Sequence, residues 1–206
     1  MAVVRTERGL DRLVNFSDAT VAIAITLLIL PLVDEAGQAA KEGFGPWYHD
    51  HYWDVISFAI SFVVIARFWI NHHRIFEWVT DYTTRIIWLN FLWLAAIVVM
   101  PFTTNLLSGS NQHDGVVYAV YIGNMLVASL TMQVIAEILR RSPELVREDA
   151  RPAMNESRGW FVDILMAAAL VLAVVFPQIG IWWLLLLFLQ GPLYAVTRAL
   201  RRRSAD

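Results

Sequence analysis

Long apolar runs separated by short polar stretches dominate this chain. A bilayer hydrocarbon core about 30 Å thick needs about 20 apolar residues of helix to cross it. Six stretches are long enough or nearly so, at approximately 13–33, 52–73, 84–107, 115–139, 159–176 and 178–198. Each predicts a membrane-spanning helix. The expected fold is therefore all-α, a polytopic membrane protein with one six-helix transmembrane domain over 1–206. The fifth and sixth spans are separated only by the Pro177-Gln178-Ile179-Gly180 region, which predicts a tight helical hairpin because Pro and Gly punctuate helices. The first run follows Arg5, Arg8 and Arg12 and superficially resembles a signal peptide. It runs well past the roughly 7–15 residues of a signal core and ends at Pro31 without a small-residue cleavage site, so it reads as a retained helix.

Composition agrees with this pattern. Of 206 residues, 58% are hydrophobic, above the roughly 45–50% usual in soluble domains. No soluble domain of useful size remains outside the spans. The chain has no cysteine, which excludes disulfides, thiolate metal sites and cysteine nucleophiles.

The net charge of −2 conceals a segregation along the chain. Arg5, Arg8 and Arg12 precede the first span, and Arg74 and Arg85 lie between the second and third. Arg140, Arg141, Arg147, Arg151 and Arg158 fill the connection after the fourth, and Arg198, Arg201, Arg202 and Arg203 follow the sixth. With six spans all of these fall on one side. The other side carries Lys41 with Asp34, Glu35, Glu42, Asp50, Asp54 and Asp114. Because cytoplasmic loops retain Lys and Arg, both termini are expected in the cytoplasm of a multi-pass protein of the cell membrane.

Several function classes lack their motifs. There is no Thr-Val-Gly-Tyr-Gly filter, no helix with Arg at every third position, no Walker loop, no Gly-x-Ser-x-Gly elbow and no His-Glu-x-x-His pair. An enzyme is not expected, nor is a nucleic-acid partner. The first outer connection, with its acids and His49 and His51, reads most simply as a solvated connector. A cation-attracting mouth is the alternative, and His-x-His is a weak metal signal.

The polar residues inside the first run carry more information. Arg12, Phe16, Ser17 and Asp18 form Arg-x-x-x-Phe-Ser-Asp. An ionised group at the centre of a lipid-facing helix costs roughly 2.5–3.5 kcal/mol on insertion scales, so such groups usually face protein or water. Ser and Asp are also favoured near helix starts, where they accept backbone N–H bonds. Two further segments shift the balance. The second span ends in Trp69-x-x-His72-x-Arg74-x-Phe76, with Trp69, His72 and Phe76 on one helical face. The third contains Leu89 and Asn90 ahead of Pro101.

These three segments together resemble the transmembrane-protein-175 family, potassium-permeable channels of endolysosomes and of many prokaryotes. The resemblance covers roughly residues 5–105, and beyond them it extends only to helix count and length. It implies a homotetramer of one-repeat chains, with the first helix lining a central pore and passive, potassium-preferring cation conduction. It also implies an interhelical polar network, in which His72 and Asn90 are the candidate partners of Ser17 and Asp18, with Arg12 nearby.

On a helix advancing 100° per residue, Ile23, Thr26, Leu27 and Leu30 lie within about 100° of one another, while Asp18 and Ser17 stand about 140° and 120° from Ile23. Taken alone, that stripe is ordinary packing surface. The resemblance makes it the pore wall, with Ile23 the hydrophobic constriction and Thr26 offering a hydroxyl oxygen to a passing K+. Ala22 departs from members that carry a hydroxyl there. A proton-coupled secondary transporter using Asp18 and His72 is the competing expectation, and a scaffold without transport a third. Arg67 is expected to snorkel or to pair with an acid. Glu137 and Asp163 suit span boundaries, Trp47, Trp53 and Trp160 an interfacial belt, and Arg201, Arg202 and Arg203 anionic headgroups. Expected partners are further copies of the chain, membrane lipids and monovalent cations, with no cofactor beyond permeant K+.

Overall fold

The structure is a computed structural model that describes residues 7–109, 114–156 and 160–189. Helix α1 spans Glu7–Leu27 and stops there because Pro31 has no N–H and its ring opposes the Leu27 carbonyl. Helical winding resumes in the short α2, Leu30–Asp34, and α3, Ala36–Glu42. Gly43, at φ 90°, then turns the chain, a conformation that suits glycine because it lacks Cβ.

Helix α4 spans Phe44–Phe76, so it begins well before the expected residue 52. The reason is local. Phe44 packs on Trp47 at 5.9 Å and Tyr48 at 6.0 Å, and Trp47 stacks on His51 at 5.0 Å, giving the first turns an aromatic face of their own. Much of the presumed outer connector is therefore helical.

Helices α5, Thr84–Gly109, and α6, Gly115–Arg141, form the central antiparallel pair. Asp114 caps α6, its Oδ1 accepting from the Val116 amide at 2.9 Å. Trp93, Ile97 and Met100 of α5 meet Tyr121, Ile122 and Met125 of α6 in the buried core. A hydroxyl cluster adds α4 to this pair: Thr104 Oγ1 lies 2.8 Å from Ser61 Oγ, and Ser61 Oγ lies 2.9 Å from the Tyr121 hydroxyl.

At one end of the bundle two connections interlock. The Thr80 amide donates to the Leu145 carbonyl and the Arg147 amide to the Trp78 carbonyl, both at 2.9 Å. This brings Arg74, Arg85, Arg140, Arg147 and Arg151 to one end. Helix α7, Arg151–Glu156, leads to α8, Trp160–Val175, which packs along α6. The chain reverses at Gly180, at φ 60°, where a Cβ would meet the Tyr118 hydroxyl at 2.5 Å. Gly180–Leu189 is wound as a 3-10 helix. The rest of the expected sixth span lies outside the described residues, as do Arg5, Arg158, Arg198 and Arg201 to Arg203.

Among the described residues the fold is all-helical, without a named strand. Four helical runs, Arg8–Glu42, Phe44–Phe76, Thr84–Gly109 and Gly115–Arg141, are long and apolar enough to cross a membrane, and Trp160–Val175 is a shorter apolar helix. The protein is multi-pass.

A polar network behind an exposed stripe on the first helix

Helix α1 has two distinct faces. Ser17, Val21, Ala24 and Leu28 are buried against α4 and α5. On the opposite face Ile23 and Leu27 are 61% and 40% exposed and Thr26 is exposed with them, and Leu30, the first residue of α2, is 49% exposed. The helical repeat that put Ser17 about 120° from Ile23 accounts for the division.

The buried face ends in a hydrogen-bonded chain through three helices. Ser17 Oγ donates to the Leu13 carbonyl at 2.9 Å and accepts from Asn90 Nδ2 at 2.8 Å. Asn90 Oδ1 lies 2.9 Å from His72 Nε2, so that nitrogen carries the proton and donates. Ser17, His72 and Asn90 are fully buried. The His72 ring is held between Phe76 and Trp93, each with its ring centroid 4.3 Å away, and its Nδ1 has no partner among the described residues. Satisfied buried polar groups fix the rotation and depth of a helix, because other registers leave them unpaired.

Asp18 forms a second link. Its Oδ1 accepts from Trp69 Nε1 at 2.9 Å, joining α1 to α4 a turn above His72. Asp18 and His72 thus have different partners, and no hydrogen bond joins them among the described residues.

Two signature residues lie elsewhere. Phe16 is 52% exposed, its ring 5.9 Å from that of Phe91. Arg12 was expected beside the network, yet it lies on the outward face of α1 and helps line a cavity of about 390 Å³ with Tyr82, Ile87 and Phe91. The separation of five positions between Arg12 and Ser17 rotates it about 140° away, which is why it joins Phe16 rather than Ser17. Trp93 escaped the sequence reading, although its position one turn after Asn90 on α5 is the spacing that could have flagged it.

The outer histidines diverge. His49 Nδ1 lies 3.1 Å from Asp50 Oδ1, whereas His51 Nδ1 lies 3.0 Å from the Trp47 carbonyl. On a helix, residues two apart point in nearly opposite directions. Among the described residues no group of three or more His, Asp or Glu side chains is placed to hold a metal ion.

A family model described as endosomal/lysosomal potassium channel TMEM175 matches residues 12–101. That stretch contains every residue of the network. A potassium channel of Streptomyces collinus is 34% identical over 154 residues, covering 71% of this chain and 73% of the relative. The chain belongs to the TMEM175 family. A potassium channel of Chamaesiphon minutus is 33% identical over 122 residues, covering 58% of this TMEM175-family chain and 60% of the relative. The crystal structure of a lysosomal potassium-selective channel TMEM175 homolog from the same organism superimposes with a TM-score of 0.66 at 24% identity, covering 91% and 97% of the two chains. At that identity the likeness is one of fold. The TMEM175 family is one of channels, not of enzymes.

Proposed function

We propose that this chain is the subunit of a passive, potassium-preferring cation channel, in which four copies of a single six-helix domain place α1 around a central axis. The observation that carries this reading is the exposed apolar stripe of α1, directly opposite a face fixed by buried hydrogen bonds. A helix secured from behind and bare in front is what a pore wall requires. The potassium-channel relatives support the same reading.

Within it, four Ile23 side chains form a narrow apolar ring that supplies nothing to replace an ion's hydration shell, so it excludes water when narrow and conducts only when it widens. Thr26 stands one turn further along. Its hydroxyl donates to the Ile23 carbonyl at 2.8 Å, which commits the proton inward and leaves oxygen lone pairs for a partly dehydrated K+. Leu27 and Leu30 continue the wall. Ser17, Asp18, Trp69, His72 and Asn90 hold it in place, and both termini lie in the cytoplasm.

The experiment is potassium current per assembled channel. Ile23→Asn is expected to raise basal current by wetting the ring, and Ile23→Phe to lower it by filling the gap. If both substitutions leave that current unchanged, Ile23 is packing surface and α1 does not line the pore.

A further inference from the structure

Arg12 belongs to the signature of the first helix yet takes no part in the buried hydrogen-bonded chain. On a helix advancing 100° per residue it stands only about 20° from Ile23, so the two share the bare face of α1, roughly 17 Å apart along it. Arg8 lies about 40° from Arg12, one turn closer to the N-terminus, and both arginines are exposed. Neither has an acid within ion-pair distance among the described residues.

Nothing around Arg12 offsets its charge. The cavity it helps line has Leu13, Phe16, Tyr82, Ile87 and Phe91 in its walls and no Asp or Glu among the described residues. Asp11, the acid next to it in sequence, is exposed and turned about 100° round the helix. At the far end of the bare face the sign reverses. Leu30 is followed on α2 by Asp34, one turn further on and exposed.

We propose that four Arg12 side chains ring the cytoplasmic mouth of the pore and hold down the entry of K+ from that side. This rests on the tetrameric channel reading above, which turns the Ile23 face of α1 toward the axis. Rings of Asp or Glu serve cation channels because they concentrate the permeant ion, and a ring of Arg at a mouth does the reverse. Four unit charges about 10 Å from the axis, the scale of helix spacing, lower the axial cation concentration about twofold at 0.15 M ionic strength and about sevenfold at 0.01 M. Arg8 and Asp11, of opposite sign, largely cancel in that sum. K+ leaving the cytoplasm meets the ring before the Ile23 constriction, whereas K+ entering from outside meets it afterwards. The ring therefore weighs more on outward than on inward current.

The experiment reads the ratio of outward to inward current at equal and opposite voltages in inside-out membrane patches. K+ is held at about 10 mM on both sides, and an impermeant salt sets the cytoplasmic ionic strength between about 0.01 and 0.15 M. In the native channel the ratio should fall roughly threefold at the lower ionic strength. Arg12→Gln should remove that dependence and raise the ratio about twofold at 0.15 M, while Arg12→Lys should behave as native. Arg12→Cys, in a chain with no other cysteine, tests the charge on a channel already assembled. Applied from the cytoplasmic face, a thiol reagent carrying a sulfonate should raise its ratio, and one carrying a quaternary ammonium should lower it. A native ratio indifferent to ionic strength, a conducting Arg12→Gln channel with the native ratio, or two reagents acting alike overturns the proposal and leaves the channel reading standing. Where Arg12→Gln does not assemble, the native channel and the Cys variant decide. A native protein that assembles and passes no K+ current overturns the channel reading, and the ring falls with it.

Discussion

Asn90 is the most constrained side chain on α5, since it donates to Ser17 and accepts from His72 within a fully buried setting. Asn90→Ala leaves His72 Nε2 without a partner and removes the bond that Ser17 Oγ accepts, although Ser17 still donates to the Leu13 carbonyl; a buried group left unpaired costs about 1–3 kcal/mol. Thermal unfolding in detergent should therefore show a large loss. Ser17→Ala should cost less, and in the double variant the losses should fall short of additive by about 0.5–3 kcal/mol, the usual coupling of contacting residues. Strict additivity would mean that the two side chains do not share one network. Helical periodicity turns Ser17 away from the Ile23 stripe and gives Trp69 and His72 one face of α4, because it decides which positions share a side. It did not assign Trp69 to Asp18 or Asn90 to both of its partners. Those choices depend on how far each helix is shifted along its neighbour, a quantity set by packing between segments distant in sequence.

Among the elements, the helices with unbroken apolar runs were legible almost to their ends: α5 and α6 begin where the pattern predicted, at Thr84 and Gly115. The start of α4 was not, because Phe44, Trp47 and Tyr48 are interspersed with Gly45, Pro46 and His49, and a hydropathy pattern discounts such a stretch although its rings stack in a helix. The reversal at Gly180 was legible as a turn, but its demand for glycine was not. There the left-handed backbone alone costs roughly 1–2 kcal/mol for any residue with a Cβ, and the Tyr118 hydroxyl occupies the space. Gly180→Ala should lower the melting temperature, and Tyr118→Ala in the same chain should restore only the part due to the collision. Full restoration would show that backbone conformation contributes nothing at this position.

Across the whole molecule, the interlocked connections at Thr80 and Arg147 gather arginines at one end, while Asp34, Glu35 and Lys41 lie in the connection that turns into α4. With that end in the cytoplasm, Lys41→Cys should react with an impermeant thiol reagent in intact cells and Arg147→Cys should not. Labelling of Arg147→Cys would invert the orientation. The bundle itself followed from apolar run lengths.

The bonds from α1 to its neighbours also impose an order of events during synthesis. Ser17 and Asp18 are made first, while Trp69 follows Asp18 by 51 residues and Asn90 follows Ser17 by 73. At about 5–20 residues per second, the ribosome delivers the last of these partners roughly 4–15 s after Ser17. For the roughly 3–10 s before Trp69 follows, α1 carries the Asp18 carboxylate unpartnered into or beside the bilayer, at a cost comparable to the gain from several leucines. Nascent chains stopped after residue 50 should therefore insert α1 less completely than chains stopped after residue 109, as read by a glycosylation tag placed in the outer connection. Equal insertion would mean that the lipid and the insertion machinery tolerate Asp18 unaided. The signature would then serve the finished bundle alone and place no demand on the pace of translation.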